Sequence, residues 1–238
     1  MENSKADFKG VAVVTGASRG MGAAFVRVLA EEGYAVALGA RDQPALDQLA
    51  AEIATPTLAY ALDVTDPESV ARFRDATVTR FRQVDVLVNN AGIGIFRRLE
   101  EITAAELERT FQVNVFGVWA MTTAFLPQLR DRHGLVLMVS SDVSTRTFPT
   151  GGPYTASKFA LRALTRTFQQ ENPELRIMEL RPGAVDTHFA GSTPGAPGKE
   201  WFLSTDAVGE ALRFALRLPP DVRLEEVVLR SSGQTPEF

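Results

Sequence analysis

The sequence predicts a doubly wound α/β fold, a single parallel sheet of about seven strands with helices on both faces. Short β-branched runs alternate with longer segments of helical period along the chain. Several runs are apolar throughout, as expected when helices cover both faces of a parallel sheet. Three helical segments begin with proline at or near the first turn, where a missing N–H costs least. This alternation implies right-handed crossovers between parallel strands.

No internal repeat or linker divides the predicted elements, so we expect one domain over residues 1–238. The predicted strands are residues 11–15, 35–40, 57–62, 84–88, 135–140, 176–180 and 226–229. The predicted helices are residues 20–32, 44–54, 67–81, 104–130, 153–171 and 205–217.

The composition excludes several classes of site and partner. The chain has no cysteine, which rules out disulfides, thiolate nucleophiles and Cys-ligated zinc. With only His133 and His188 present, we expect no multi-histidine metal site. The net charge of −4 and the lack of a basic run interleaved with aromatics argue against nucleic acid. No apolar stretch is long enough for a signal peptide or a membrane span, so we expect a cytoplasmic protein.

A glycine-rich turn at residues 15–22 follows the first predicted strand and leads directly into the first predicted helix. The first glycine permits a sharp exit from the strand, and the later ones let the backbone approach a pyrophosphate closely. The helix N-terminus supplies unpaired N–H groups and a favourable dipole. The pattern predicts a dinucleotide site formed by Gly16, Ser18, Arg19, Gly20, Met21 and Gly22.

The charges at the end of the second predicted strand bear on which dinucleotide binds. A site that prefers NAD places a carboxylate there, to accept hydrogen bonds from the ribose hydroxyls. Here the strand ends with Arg41, and with Arg19 it favours a 2′-phosphate and hence NADP(H). Two alternatives stay open. In the first, Arg41 is solvated and Asp42 only caps the next helix. In the second, Asp42 binds the ribose hydroxyls and the cofactor is NAD(H).

Three motifs together resemble the short-chain dehydrogenase/reductase family. They are Thr-Gly-x-x-x-Gly-x-Gly at residues 15–22, Asn-Asn-Ala-Gly at residues 89–92, and Tyr154-x-x-x-Lys158. Each falls at the expected strand end or helix and in the expected order. The resemblance covers residues 10 to about 234 and implies a Rossmann-like fold of the small type that lacks an added substrate domain.

By this resemblance, residues that follow the third, fourth and sixth strands contact the cofactor. Asp63 and Val64 would hold the adenine, and residues 182–187 would pass beneath the nicotinamide and contact its carboxamide. Lys158 would bind the nicotinamide ribose. The implied contacts are Asp63, Val64, Asn90, Ala91, Gly92, Tyr154, Lys158, Pro182, Gly183, Val185 and Thr187.

Carbonyl reduction needs a proton donor beside the oxygen and a second group that polarises it. Tyr154 and Lys158 are four residues apart in a segment of helical composition, so they share one helix face. We expect the cation to lower the pKa of the phenol from about 10. The resemblance adds Ser141 rather than Ser140 as the polarising hydroxyl.

The resemblance also adds Asn114, which would hold a water linked to the lysine and would need a local disturbance of the helix. Taken singly, each of these four residues also has an ordinary structural explanation: a helix-surface pair, a turn serine, or a helix asparagine.

The resemblance implies an NADP(H)-dependent carbonyl reductase or alcohol dehydrogenase acting on a small-molecule carbonyl compound or secondary alcohol. One alternative is a non-catalytic, redox-sensing NADP(H)-binding regulator, which would need neither Tyr154 nor Lys158. Another is a methyltransferase, for which the paired arginines have no use. A homo-oligomer, dimer or tetramer, is also implied through helices 104–130 and 153–171, whose apolar residues suit packing on the sheet equally well.

A segment rich in glycine and proline, within residues 188–203, follows the sixth predicted strand. It is expected to be a flexible substrate loop, because open α/β sheets bind ligands at this edge. An idle surface loop is the alternative. The segment holds His188, Trp201 and Phe202, for which substrate contact and ordinary structural roles both stay open.

Overall fold

The apolar runs form seven strands of one parallel sheet in the computed structural model, which describes residues 8–234. The strands are β1 (Gly10–Thr15), β2 (Tyr34–Ala40), β3 (Thr57–Ala61), β4 (Val86–Asn89), β5 (Leu135–Val139), β6 (Arg176–Pro182) and β7 (Glu226–Leu229). Their order is β3-β2-β1-β4-β5-β6-β7, so the direction of winding reverses between β1 and β4. The predicted fold class is confirmed, and the strand bounds differ from the predicted ones by at most two residues.

Seven α-helices connect the strands, and several begin at a side chain that caps them. Asp42, Asp66, Thr103 and Ser204 each accept a hydrogen bond from a backbone N–H in the first turn of the following helix. The helices are α1 (Gly20–Glu31), α2 (Gln43–Glu52), α3 (Pro67–Phe81), α4 (Ala104–Phe111), α5 (Gly117–Asp131), α6 (Gly152–Glu171) and α7 (Thr205–Arg217).

The helical segment expected over residues 104–130 is continuous, and a π-helical turn at Gln112–Phe116 joins α4 to α5 within it. The turn inserts an extra residue into the helix and directs Asn114 inward, where it is fully buried. Its carboxamide bonds to both backbone groups of Ile93, which compensates for the disturbed helix hydrogen bonds. A helical period read from sequence does not reveal one inserted residue.

Side chains of each central strand alternate between two hydrophobic clusters, one on each face of the sheet. In β1, Ala12 and Val14 join the cluster covered by α1, α2 and α7, whereas Val11 and Val13 face α3, α5 and α6. Each fully buried large side chain contributes about 1.5–3 kcal/mol to stability. Burial of both faces therefore fixes the strand register and brings the carboxyl ends of all strands to one edge.

Some large apolar side chains remain at the surface of the helical layers. Phe116 and Trp119 lie at the junction of the π-turn and α5 and are 53% and 51% exposed, and Phe159 on α6 is 42% exposed. Within residues 8–234, no helix combines the length and the apolar character that crossing a membrane requires.

Candidate active site

A cleft of about 1570 Å³ lies along the carboxyl edge of the sheet. Segments that follow β1, β2, β3, β4, β5 and β6 line it, together with the start of α6. A volume of this order holds a dinucleotide and a small second ligand, and the position is the one where doubly wound sheets bind ligands.

The glycine turn forms the floor of the cleft. Gly16 and Gly20 have φ angles of 62° and 57°, in the left-handed region that disfavours other residues. A Cβ atom on Gly22 would overlap the carbonyl oxygen of Gly16, so glycine is required where α1 passes beneath the turn. The N-terminus of α1 opens directly onto the cleft. This cradle fits a pyrophosphate, because its glycines leave the backbone bare at Gly16 and Gly20 and the helix N-terminus supplies N–H groups.

Thr15 and Asn90 tie the ends of β1 and β4 together. The hydroxyl of Thr15 accepts hydrogen bonds from the backbone N–H groups of Asn90 and Ala91, both at 3.0 Å. The carboxamide of Asn90 donates to the carbonyl oxygens of Thr15 and Gly16, at 2.9 and 3.1 Å. Asn90 thus fixes the shape of the glycine turn while it lines the cleft.

Three arginines line one end of the cleft. Arg19, Arg41 and Arg109 make no ion pair or side-chain hydrogen bond within residues 8–234, and Arg109 was not predicted. Asp42 caps α2, since its Oδ1 accepts from Ala45 N at 3.2 Å, which matches one of the two alternatives for this residue. The nearby Asp63 carboxylate accepts two hydrogen bonds from Thr65, at 2.9 and 2.7 Å.

The charge state of Asp63 follows from these contacts. Burial raises the pKa of Asp63, but the Thr65 bonds and the charges of Arg41 and Arg109 outweigh it, so the pKa is lowered overall. This end of the cleft therefore carries cations and one firmly ionised carboxylate.

Ser141 and Tyr154 meet in the middle of the cleft, one after β5 and the other in the first turn of α6. Burial raises the pKa of Tyr154 to about 12, against the effect of a hydrogen bond with Ser141, and the charge of Asp142 raises it further. The lowered phenol pKa that we expected is thus not found in this structure. Desolvation of the phenolate outweighs the Ser141 hydrogen bond, and the phenol stays protonated at neutral pH.

Lys158 follows one turn later on α6, with its ammonium 5.6 Å from the centroid of the Tyr154 ring. Its Nζ donates to the carbonyl oxygen of Val139 at 2.9 Å, and the residue is only 5% exposed. Burial lowers the pKa of Lys158 to about 8, and the charge of Glu179 opposes this only in part. The cation is thus costly to keep at this position.

Asn114 lies behind these groups and does not line the cleft. Besides its bonds to Ile93, its Nδ2 donates to Ser157 Oγ at 3.0 Å, and that hydroxyl donates to the carbonyl oxygen of Tyr154 at 2.7 Å. The helix disturbance that a relay at Asn114 would need is present as the π-turn. Its role in moving a proton stays a prediction.

The segment after β6 forms the other wall and is held at its base by Asp186. This carboxylate accepts from Gly195 N at 2.8 Å and from Lys199 Nζ at 3.1 Å, which fixes both sides of the loop. The backbone bond from Gly195 is the main reason why the pKa of Asp186 is lowered. His188 is exposed at the cleft, and the rings of Trp201 and Phe202 lie 4.5 Å apart in its lining.

The predicted site residues therefore meet along one cleft, with two exceptions. Gly22 lies beneath the glycine turn and Asn114 behind the lysine, so neither lines the cleft itself. The predicted residues that do line it are Gly16, Ser18, Arg19, Gly20, Met21, Arg41, Asp63, Val64, Asn90, Ala91, Gly92, Ser141, Tyr154, Lys158, Pro182, Gly183, Val185 and Thr187.

Asp142 is one residue that the sequence analysis missed, although it directly follows Ser141. The residue is only 3% exposed, and its carboxylate accepts from Arg146 Nη2 at 2.7 Å, Gln234 Nε2 at 2.9 Å and Ser141 Oγ at 3.4 Å. Gln234 in turn lies against Gly183. Asp142 thereby connects the Ser141 hydroxyl to residue 234, at the far end of the described chain.

A second set of missed residues is aromatic. Phe96, Phe148 and Phe189 line the cleft around Tyr154 and come from the segments after β4, β5 and β6. The sequence offered one signal for them, since Gly94 and Gly151 lie close to two of these residues in the chain.

We expect Lys158→Met to stabilise the protein by about 2 kcal/mol at neutral pH. Burying the Lys158 cation costs the wild type about 3 kcal/mol at neutral pH, which the variant avoids. The variant loses about 1 kcal/mol because methionine cannot make the hydrogen bond to Val139. Between pH 8 and 10.5 the unfolded chain binds more protons at this lysine than the folded one, so wild-type stability rises with pH across that window. Urea unfolding at several pH values measures both effects.

Lys9→Met is the matched control, because Lys9 is exposed, and it should leave the pH dependence unchanged. A Lys158→Met variant that is less stable than wild type at neutral pH, by the same amount at every pH, would contradict the argument.

Comparison with known proteins shows which family has this site. Residues 10–196 match the family model for short chain dehydrogenases. The chain is 34% identical over 233 residues to glycine betaine reductase ATRR of Emericella nidulans, covering 92% of this chain but 18% of that longer protein. It is 32% identical over 227 residues to an uncharacterized oxidoreductase of Staphylococcus saprophyticus, covering 92% of this chain and 96% of the other.

A solved structure is more similar still. The alcohol dehydrogenase from the archaeon Thermococcus sibiricus, complexed with 5-hydroxy-NADP, matches with a TM-score of 0.91 and 49% identity over 96% of this chain and 99% of that chain. Since the family model spans well over half of the sequence and the fold agrees, this protein belongs to the short-chain dehydrogenase family of oxidoreductases.

Proposed function

We propose that the protein is an NADP(H)-dependent reductase of carbonyl compounds, which oxidises the corresponding secondary alcohols in reverse. The observation that carries the proposal is the convergence of Ser141, Tyr154 and Lys158 in one cleft with a glycine cradle. A regulator that only binds the cofactor has no need of a buried lysine beside a protonated tyrosine, and no feature of the cleft favours that alternative.

The residues of the cleft fit a nicotinamide dinucleotide. The glycine turn and the start of α1 would hold the pyrophosphate, Asp63 and Val64 the adenine, and Lys158 the nicotinamide ribose. Asn90, Ala91 and Gly92 would line the middle, with Pro182, Gly183, Val185 and Thr187 beneath the nicotinamide. When bound, this group supplies or accepts the hydride.

Tyr154 would give its proton to the carbonyl oxygen during reduction. With a pKa of about 12 the phenol is protonated at neutral pH, which suits an acid and therefore the reductive direction. The Ser141 hydroxyl would donate to the same oxygen and polarise the carbonyl group. Lys158 would stabilise the tyrosinate that remains, and Asn114 would hold a water through which the proton is replaced.

A preference for NADP(H) over NAD(H) is supported by the arginines at the adenine end. Arg19 and Arg41 are both exposed at the cleft and have no partner among residues 8–234, so their guanidinium groups are available to a 2′-phosphate. The related alcohol dehydrogenase with bound 5-hydroxy-NADP gives the same indication.

The proposal extends to a homo-oligomer that forms through α5 and α6. The exposed Phe116, Trp119 and Phe159 lie on these two elements or the adjoining π-turn, and a second copy would remove their apolar surface from water.

Replacing Tyr154 with Phe should lower kcat for ketone reduction by about 10²- to 10⁴-fold, because the proton donor is lost. Ser141→Ala should lower kcat by about 10²- to 10³-fold. NADPH oxidation with a panel of ketones measures the rates, and binding of NADPH should change little in either variant. Tyr60→Phe and Ser140→Ala are matched controls, and the assignment fails if Ser140→Ala costs as much as Ser141→Ala or if Tyr154→Phe stays active.

Replacing Arg41 with Asp should weaken NADPH binding by about 10- to 100-fold and leave NADH binding unchanged or tighter, since a charged bond to phosphate is lost. Quenching of Trp201, which lines the cleft, reports binding of either cofactor. Arg80→Asp makes the same charge change outside the cleft and should have no effect. Equal affinity of the wild type for both cofactors would contradict the phosphate assignment.

Introducing a charge at Trp119 should dissociate the oligomer. An interface tryptophan contributes about 2 kcal/mol or more, so we expect Trp119→Glu to weaken self-association by at least about 30-fold in sedimentation experiments. Val222→Glu, at an exposed apolar position between α7 and β7, serves as the control. A wild-type protein that sediments as a monomer at micromolar concentration would overturn this part of the proposal.

A further inference from the structure

Two phenylalanine rings pack against the ring of Tyr154 at the substrate end of the cleft, and a third packs on one of them. The centroids of Phe96 and Phe189 lie 5.5 and 5.4 Å from that of Tyr154. Phe96 is also 5.8 Å from Phe148 and 6.2 Å from Phe189. We refer to Phe96, Phe148 and Phe189 as the aromatic wall. Its members come from three different loops, so their convergence is a tertiary feature of the site.

Two glycines make room for these rings. A Cβ atom on Gly94 would lie 2.6 Å from Phe189 Cε1 and 2.9 Å from Phe96 Cζ, so both rings rest against the bare backbone. A Cβ atom on Gly151 would overlap the ring of Phe148. Neither glycine has a φ angle in the left-handed region, so backbone conformation does not require them. Close approach of the rings explains their presence.

The aromatic wall is not a closed core, because its rings remain partly exposed to the cleft. Phe96 is 40% exposed, and the other two are half-buried. None of the rings has a hydrogen-bonding atom, so a charged or hydroxylated substituent placed there would lose water without replacement. Arg146, a charged residue in this lining, has its guanidinium bound to Asp142 at 2.7 Å.

We propose that the substrate carries an aryl group on its carbonyl carbon and that the aromatic wall holds this group. An aryl ring gains from edge and offset contacts with phenylalanines beyond its burial alone. The inference rests on the proposed function. In the reaction the carbonyl carbon accepts a hydride from NADPH and the oxygen accepts the proton of Tyr154, giving the benzylic alcohol and NADP⁺.

The kinetic test compares three ketones with NADPH: acetophenone, cyclohexyl methyl ketone and hydroxyacetone. We expect kcat/KM for acetophenone to exceed that for hydroxyacetone by about 100-fold, because a buried phenyl ring adds that much binding. It should exceed that for cyclohexyl methyl ketone by about 3- to 10-fold. Equal rates with the phenyl and cyclohexyl ketones would overturn the aryl assignment, and so would faster reduction of hydroxyacetone.

The variant that perturbs the aromatic wall is Gly94→Ala, since the added methyl group displaces Phe189 and Phe96 and replaces none of Ser141, Tyr154 and Lys158. We expect KM for acetophenone to rise about 10-fold while KM for hydroxyacetone and the affinity for NADPH stay unchanged. Phe189→Ala should act in the same direction. Phe214→Ala on α7, 57% exposed and outside the cleft, is the control and should change none of these values.

A binding measurement separates this inference from the proposed function. Calorimetric titration of the NADPH-loaded protein with 1-phenylethanol forms a complex that cannot react, so it needs no turnover. Weaker binding in Gly94→Ala supports the aryl subsite, and unchanged binding overturns it. If NADPH binds and no ketone is reduced, the proposed function fails while this titration still decides the subsite.

Discussion

The site depends on the hydrogen bonds between Thr15 and Asn90, which join the ends of β1 and β4 where the winding of the sheet reverses. The ends of β1 and β4 must diverge there to open a crevice, and their backbone groups would otherwise lose partners. Asn90 satisfies the carbonyl oxygens of Thr15 and Gly16, and Thr15 satisfies the N–H groups of Asn90 and Ala91. These four backbone groups thus keep partners where the crevice opens, and the glycine turn is held in shape.

A similar tie fixes the reacting end of the cleft. Arg181 on β6 is only 6% exposed and donates to the backbone oxygens of Ser141 and Asp142, at 3.4 and 3.2 Å. The same guanidinium pairs with Glu226 on β7. Hydrogen bonds of this kind hold the main chain that carries the polarising hydroxyl, while burial of Tyr154 and Lys158 destabilises the charged form of each. Residues such as Arg181 therefore stabilise the protein around the reacting groups, whereas burial of Tyr154 and Lys158 destabilises it.

The strands and most helices could be predicted from the sequence, whereas features that depend on contacts between distant segments could not. Apolar runs and helix caps such as Asp66 act locally, so seven strands and most helices were predictable from residue order. The helical period did not indicate the π-turn at Gln112–Phe116, and only the family resemblance implied a disturbance there, because Asn114 is held by Ile93 in a distant loop. The raised pKa of Tyr154 was missed for a related reason: spacing on a helix shows a nearby cation but not the depth of burial. The aromatic wall joins loops that are far apart in the chain.

The two ends of the cleft differ in chemistry, since one is lined by charged residues and the other by apolar rings. Arg19, Arg41 and Arg109, which have no ion pair among residues 8–234, stand at one end of the cleft. Phenylalanines stand at the other end, and Ser141, Tyr154 and Lys158 lie between them. An anionic dinucleotide cannot exchange places with an apolar carbonyl compound, since each would lose hydration at the wrong end without gaining a partner. Under the proposed function, the glycine turn and the aromatic wall therefore form separate subsites for the dinucleotide and the carbonyl compound.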